Sequence, residues 1–133
     1  MDDPELDAAA RAARDHAYVP YSSFAMGAAV RTTGGEVVPG AVVENVSLGL
    51  AMCAERVALF ATVARGHRPA ALALTAPRTD DAVTMPCGAC LQVALELGGP
   101  DVVVVAVAPD GERVVSSVRA LLPRGPHKVG AGS

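Results

Sequence analysis

The chain is 133 residues long, enough for one domain that buries a core without disulfides or metal staples. Hydrophobic residues make up 51% and charged residues only 19%, the latter below the ~25% typical of soluble domains, so part of the apolar excess is expected in a subunit interface. A net charge of −3, with two Tyr, two Phe, no Trp and no basic stripe among them, excludes nucleic acid as a partner, and no apolar run nears the ~18 residues that span a membrane.

The segment DPELDAAARAARDHAY, Ala-rich with a Pro near its start, predicts a first helix. Its acidic beginning is unlike a signal peptide, and the expected compartment is the cytoplasm. VPYSSF reads as a loop, and AMGAAVRTTGGEVVPGAVV as two strands around a Thr-Gly-Gly turn. ENVSLGLA is irregular. MCAERVALFATVARG predicts a helix stopped by Gly66, AALALTA a strand, and PRTDDAVTM a loop with a short strand at its end. CGACLQVALEL predicts a third long helix, stopped by Gly98 and Gly99 with Pro100 beyond. DVVVVAVA is an unbroken Val-rich run, the mark of a strand covered on both faces. A PDG turn, a short strand ERVVS and a short helix SVRALLP follow. Helices interleaved with strands, opened by a hairpin, predict a single α/β layered domain around a mixed sheet over residues 1–126, with a loose tail at 127–133.

The cysteines are Cys53, Cys87 and Cys90. An odd, sparse set in a chain without a secretion signal points to metal or redox chemistry rather than a disulfide framework. Cys87 and Cys90, at i and i+3, project from one face of the third long helix, and Cys53 opens the second. With the two helix starts face to face, three thiols converge on one point, and the positive helix ends favour the thiolate form. Three sulfurs suit zinc at ~2.3 Å each. No fourth cysteine exists, and His16, His67 and His127 lack ligand spacing, so the fourth position falls to water, as in a catalytic site. C-x-x-C at a helix start is also the pattern of a thioredoxin-like redox pair, and buried cysteines are often plain core residues. Cys53-Ala54-Glu55 upstream shifts the balance to zinc.

Standing alone, Glu55 reads as a solvated first-turn residue that complements the helix dipole. Just past a metal ligand, its carboxylate gains another use: it reaches the open position without ligating the metal, placed to take a proton from water and deliver it elsewhere. An x-Glu step after the first ligand, followed by Pro-Cys-x-x-Cys, is the zinc deaminase signature, here in its three-cysteine form.

Over AYVPYSSFAMGAAV, GAVVENVSLGLAMCAERVALF, MPCGACLQVALELG and RALLP, the chain resembles the small cytidine deaminases of the three-cysteine, homotetrameric type. The resemblance implies a three-layer α/β/α fold with a mixed five-stranded sheet, one Zn2+ per subunit, and hydrolytic deamination at C4 of a small-molecule cytosine nucleoside. It assigns Cys53, Cys87 and Cys90 as zinc ligands, Glu55 as the proton shuttle and Arg56 as a donor to the thiolates. For Arg56 a surface salt bridge is the competing reading. The resemblance also places Phe24 along the base pocket and Glu44 on the ribose, and gives the pyrimidine edge to backbone groups at Ala54 and at Thr84 to Pro86.

Four positions depart from the family pattern. Val42 stands where an asparagine would share the sugar hydroxyl with Glu44. Leu48 replaces an aromatic, Leu91 a basic residue, and Pro126 a Phe that reaches into a neighbouring subunit's pocket. All four lie where the sugar, the base-stacking surface or the subunit contacts are expected. They keep open a deaminase acting on a sugar-modified cytosine nucleoside or a nucleoside antibiotic such as blasticidin S. A non-catalytic zinc domain is a further reading, against which the intact Glu55 argues.

Overall fold

The structure, a computed structural model, describes residues 1–128; positions 129–133 of the expected tail lie outside the described residues. The first helix, α1 (Pro4–Arg14), starts where Asp3 accepts the Leu6 N–H at 3.1 Å and Pro4 occupies the first turn. Glu5 and Asp7 in its first turn and Arg11 and Arg14 in its last complement the helix dipole. It ends sooner than its composition predicts. His16 and Ala17 bond back only three residues, and the Tyr18 backbone is taken by Val42 and Glu44 instead.

The hairpin follows as β1 (Gly27–Thr32) and β2 (Val37–Ala41), then α2 (Ala54–Ala64), β3 (Pro69–Thr75), α3 (Gly88–Gly98), β4 (Val103–Val107), β5 (Arg113–Ser117) and the short α4 (Val118–Leu121). A 3-10 turn over Leu48–Leu50 interrupts the irregular stretch before α2. The expected strand at the end of PRTDDAVTM does not form. Asp80 and Asp81 adopt positive φ, leaving one Thr79–Ala82 bridge, and β3 already has β1 and β4 on its two sides. Among the described residues, no helix is long and apolar enough to cross a membrane.

The sheet runs in the order β2-β1-β3-β4-β5. Its pairs are antiparallel except β3 with β4, which are parallel and joined through α3. Alternation along the strands sends side chains into two apolar layers. Ala28, Val30, Leu72 and Val104 meet Ala58 and Leu59 of α2 and Ala94 and Leu95 of α3. Ala29, Ala73, Val105 and Val107 meet Leu6 and Ala10 of α1 on the other face. The unbroken Val run of β4 is thus explained, with Val104 on one face and Val105 on the other.

Gly40 sets how closely α2 approaches the sheet. A Cβ there would lie 2.4 Å from the Ala58 nitrogen and 2.7 Å from the Ala54 oxygen. Gly40→Ala is expected to force α2 off β2 and to cost about 1–3 kcal/mol in denaturant unfolding. Gly49→Ala, with no atom within 4 Å of the added carbon, serves as the neutral control. Equal stability of the two variants would show that the helix yields freely.

The register also decides where the functional segments meet. Gly27 pairs with Ala41 on one side and with Thr75 on the other. The loop entering β1, the segment leaving β2 and the loop leaving β3 therefore all emerge from one edge of the sheet.

Candidate metal centre

At that edge the two long helices begin with cysteines. Cys53 is the N-cap of α2 and Cys87 the N-cap of α3, both with extended backbone, and Cys90 lies in the first turn of α3. The three Sγ atoms lie within 4.8 Å of one another. Cys87 Sγ is 3.4 Å from Cys90 Sγ and accepts the Cys90 N–H at 3.5 Å. Ligands at ~2.3 Å in a tetrahedron stand roughly 3.8 Å apart, so a trio this compact fits zinc without rebuilding the helix starts. Among the described residues no histidine belongs to this group. His67 instead faces Glu36 at 3.7 Å.

The protons on these sulfurs are unevenly shared. The Cys90 thiol, the Arg56 guanidinium and a smaller contribution from Cys87 drive Cys53 down to about 5 against the opposing effect of burial. Its bond to Cys53, followed by burial, drives Cys90 upward. Arg56 Nη2 reaches Cys53 Sγ at 3.4 Å, and its Nε is buried without a hydrogen-bond partner among the described residues. The guanidinium thus faces the sulfur cluster, and the surface salt bridge is not its arrangement.

Glu55, the second residue of α2, is 0% exposed, and neither carboxylate oxygen has a hydrogen-bond partner among the described residues. A solvated first-turn Glu would look nothing like this. Burial pushes its pKa up to about 7 and the negative Cys53 adds to the rise, while its own backbone N–H and the Cys90 thiol, near the carboxylate but outside hydrogen-bonding geometry, oppose it. A carboxyl balanced near neutrality can both take and release a proton. An unpartnered buried carboxyl is also costly, which marks the position as built for something other than stability.

The remaining expected site residues are stitched to Cys53 through backbone. Val43 pairs with Tyr18 on one side and with Met52 on the other, so the segments before β1 and after β2 lie beside the residue preceding Cys53. Ala54 is fully buried behind the cluster. Val42 is half-buried and packs on the apolar layer beneath α2, which gives its aliphatic side chain a use in folding. Glu44 accepts the N–H groups of Tyr21 and Ser22 at 3.1 and 3.2 Å and the Ser22 hydroxyl besides. The Ser22 hydroxyl first, with the two backbone donors, holds Glu44 below the usual carboxylate range against the opposing effect of desolvation. Phe24 follows in the same loop, its N–H donating to Ser22 Oγ at 2.9 Å.

The loop from β3 to Cys87, which contains Thr84 to Pro86, is braced by Arg78. Its guanidinium reaches Asp110, Glu112 and the Asp81 carbonyl, and the Thr84 hydroxyl bonds Pro77 O. Ser22 and Arg78 were missed from the sequence. Neither left a mark, because Ser22 meets Glu44 across 22 positions and Arg78 reaches its partners across 32 and 34. Among the departures, Leu91 is buried in the core under α3, and Leu48 is 87% exposed. The Pro126 carbonyl accepts from Gln92 of α3 at 2.8 Å.

The family model of the cytidine and deoxycytidylate deaminase zinc-binding region matches residues 2–106. A cytidine deaminase of Halalkalibacterium halodurans is 42% identical over 123 residues, covering 92% of each chain. The structure is similar to that of a cytidine deaminase from Burkholderia pseudomallei, with TM-score 0.88 and 45% identity over 95% of this chain and 100% of that one. It is also similar to that of a cytidine deaminase from Mycobacterium tuberculosis, with TM-score 0.79 and 40% identity over 94% and 97% of the two chains.

Proposed function

The chain belongs to the cytidine and deoxycytidylate deaminase family, and on that premise we propose that it hydrolyses the C4 amino group from cytidine and deoxycytidine, releasing ammonia. The observation that carries this reading is the buried, unpartnered carboxyl of Glu55 beside three converging thiols. Cys53, Cys87 and Cys90 would hold the zinc, which when bound would supply the Lewis acidity that makes water a nucleophile near neutral pH.

The protein's own groups manage the protons and the substrate. Glu55 takes a proton from the attacking water and passes it to ring N3, then takes the second proton from the new C4 hydroxyl and hands it to the amine, which leaves as ammonia while the C4 carbonyl forms. Its burial excludes solvent protons that would short-circuit this transfer. Arg56 offsets the negative charge gathered on the thiolates. Backbone groups at Ala54 and at Thr84 to Pro86 hold the pyrimidine edge, Phe24 lies along the base, and Glu44 accepts from a sugar hydroxyl. Free thiolates of this kind persist in a reducing compartment, so the cytoplasm is the proposed location.

The assembly is a homotetramer in this reading. Val46, Leu48 and Leu50 are 79%, 87% and 69% exposed, and Phe60 and Val63 stand exposed on α2. Three large apolar side chains exposed within five positions fit burial in a subunit interface. Light scattering at micromolar concentration is expected to give a tetramer, and a monomer would overturn the assignment. Ammonia release from cytidine and deoxycytidine by zinc-loaded protein tests the activity directly. No release from either would sink the function.

A further inference from the structure

Glu44 does not wait free for a ligand. Its Oε1 takes two backbone N–H groups, and its Oε2 takes the Ser22 hydroxyl. The same Ser22 oxygen accepts the Phe24 N–H at 2.9 Å. A continuous relay therefore runs from the Phe24 backbone through Ser22 Oγ to the Glu44 carboxylate. Tyr21 is 62% exposed and Ser23 sits at φ 60°. The loop is otherwise tied by Ser23 N–H to Val19 O, Ala25 N–H to Ser23 O and Arg14 Nε to Ala25 O, and at its two ends by the bonds of Tyr18 and Met26 to the segment after β2.

Hydrogen-bond capacity makes this relay selective. A carboxylate offers roughly four acceptor positions. Three are filled from the loop, which leaves one, on Oε2, for an incoming donor. A serine hydroxyl has one hydrogen, and here it points at Glu44, so its own oxygen is left to accept from Phe24. Fixing the carboxylate therefore also fixes the backbone of the aromatic residue.

We propose that Ser22 is a positioning residue for nucleoside recognition: its hydroxyl locks the Glu44 carboxylate and the Phe24 backbone together, leaving one acceptor position to read one sugar hydroxyl. The inference rests on the assignment of Glu44 to the sugar made above. Ser22→Ala frees Oε2 to rotate and unties the Phe24 N–H. The KM for cytidine is expected to rise about tenfold, as for loss of a hydrogen bond to a charged group, while kcat changes less than twofold. Ser22→Thr keeps the hydroxyl and is expected to restore KM.

The test is a double-mutant cycle on cytidine with Ser22→Ala, Glu44→Gln and the pair. Acting through Glu44, Ser22→Ala should add no more than twofold to KM in the Glu44→Gln background. Additive effects, an unchanged KM for Ser22→Ala, or failure of Ser22→Thr to restore it would overturn the inference. A Glu44→Gln variant with wild-type KM would instead defeat the assignment of Glu44 to the sugar, and the inference with it. Thermal unfolding of each variant within a few degrees of wild type separates positioning from loss of fold.

Discussion

Glu55→Gln is expected to fold, to bind zinc and to lose about 10²–10⁴-fold in kcat, the range for a positioned acid–base group. The amide matches the carboxylate in shape and fits the same fully buried site at the start of α2. It removes a charge that no hydrogen bond satisfies, so stability should hold or rise. What it cannot do is accept and return a proton. The loss should fall on kcat more than on KM, because the lost interaction belongs to the transition state. The matched readouts are zinc content, unfolding and ammonia release. Near wild-type turnover in a folded, zinc-loaded variant would remove Glu55 from the reaction.

Glu55 stood out as a candidate in the sequence because its relation to Cys53 is local. Cys87 and Cys90 are one helical turn apart, and Cys53 and Glu55 share a helix start, so spacing alone places each pair on its helix. That the two helix starts meet is a matter of the sheet, and it was reached through the resemblance and the expectation of convergence. Strands and helices were legible wherever apolar periodicity ran on, as in the Val run of β4. The exceptions were decided by distant partners. The C-terminal end of α1 gave way to backbone pairing of Tyr18 with Val42 and Glu44. The stretch before Cys87 had strand-like residues, but β3, the strand it follows, is already paired on both sides.

Side-chain roles at the substrate end were less legible for a similar reason. In the sequence, Val42 reads only as a lost polar partner. In the fold it also packs against the layer that carries α2, so an aliphatic residue there serves the core. Glu44 reads as a free acceptor, whereas most of its capacity is committed to the loop before β1. Hydrogen bonds across 22 and 23 positions leave no periodic trace.

Removing zinc should cost both activity and stability, and the two losses should return together when the metal is restored. Ligand binding to the folded state alone adds about 4 kcal/mol when free metal is a thousandfold above its Kd, on the order of 15 °C in Tm for a domain of this size. Chelation is therefore expected to abolish ammonia release and to lower Tm by about that amount. The three ligands should not be equivalent once the metal is gone. Cys90 is fully buried among core residues, whereas Cys87 is an exposed N-cap. Cys90→Ala opens a small cavity in addition to deleting a ligand, and should destabilise the metal-free protein by about 1–2 kcal/mol. Cys87→Ala loses only a weak sulfur cap to the Cys90 N–H and should cost less than about 1 kcal/mol. Both variants should fail to retain zinc through gel filtration. A chelated protein that keeps its Tm and its turnover would show that the three thiols do not form the metal site, and equal unfolding of the two metal-free variants would show that the burial of Cys90 contributes nothing apart from the metal.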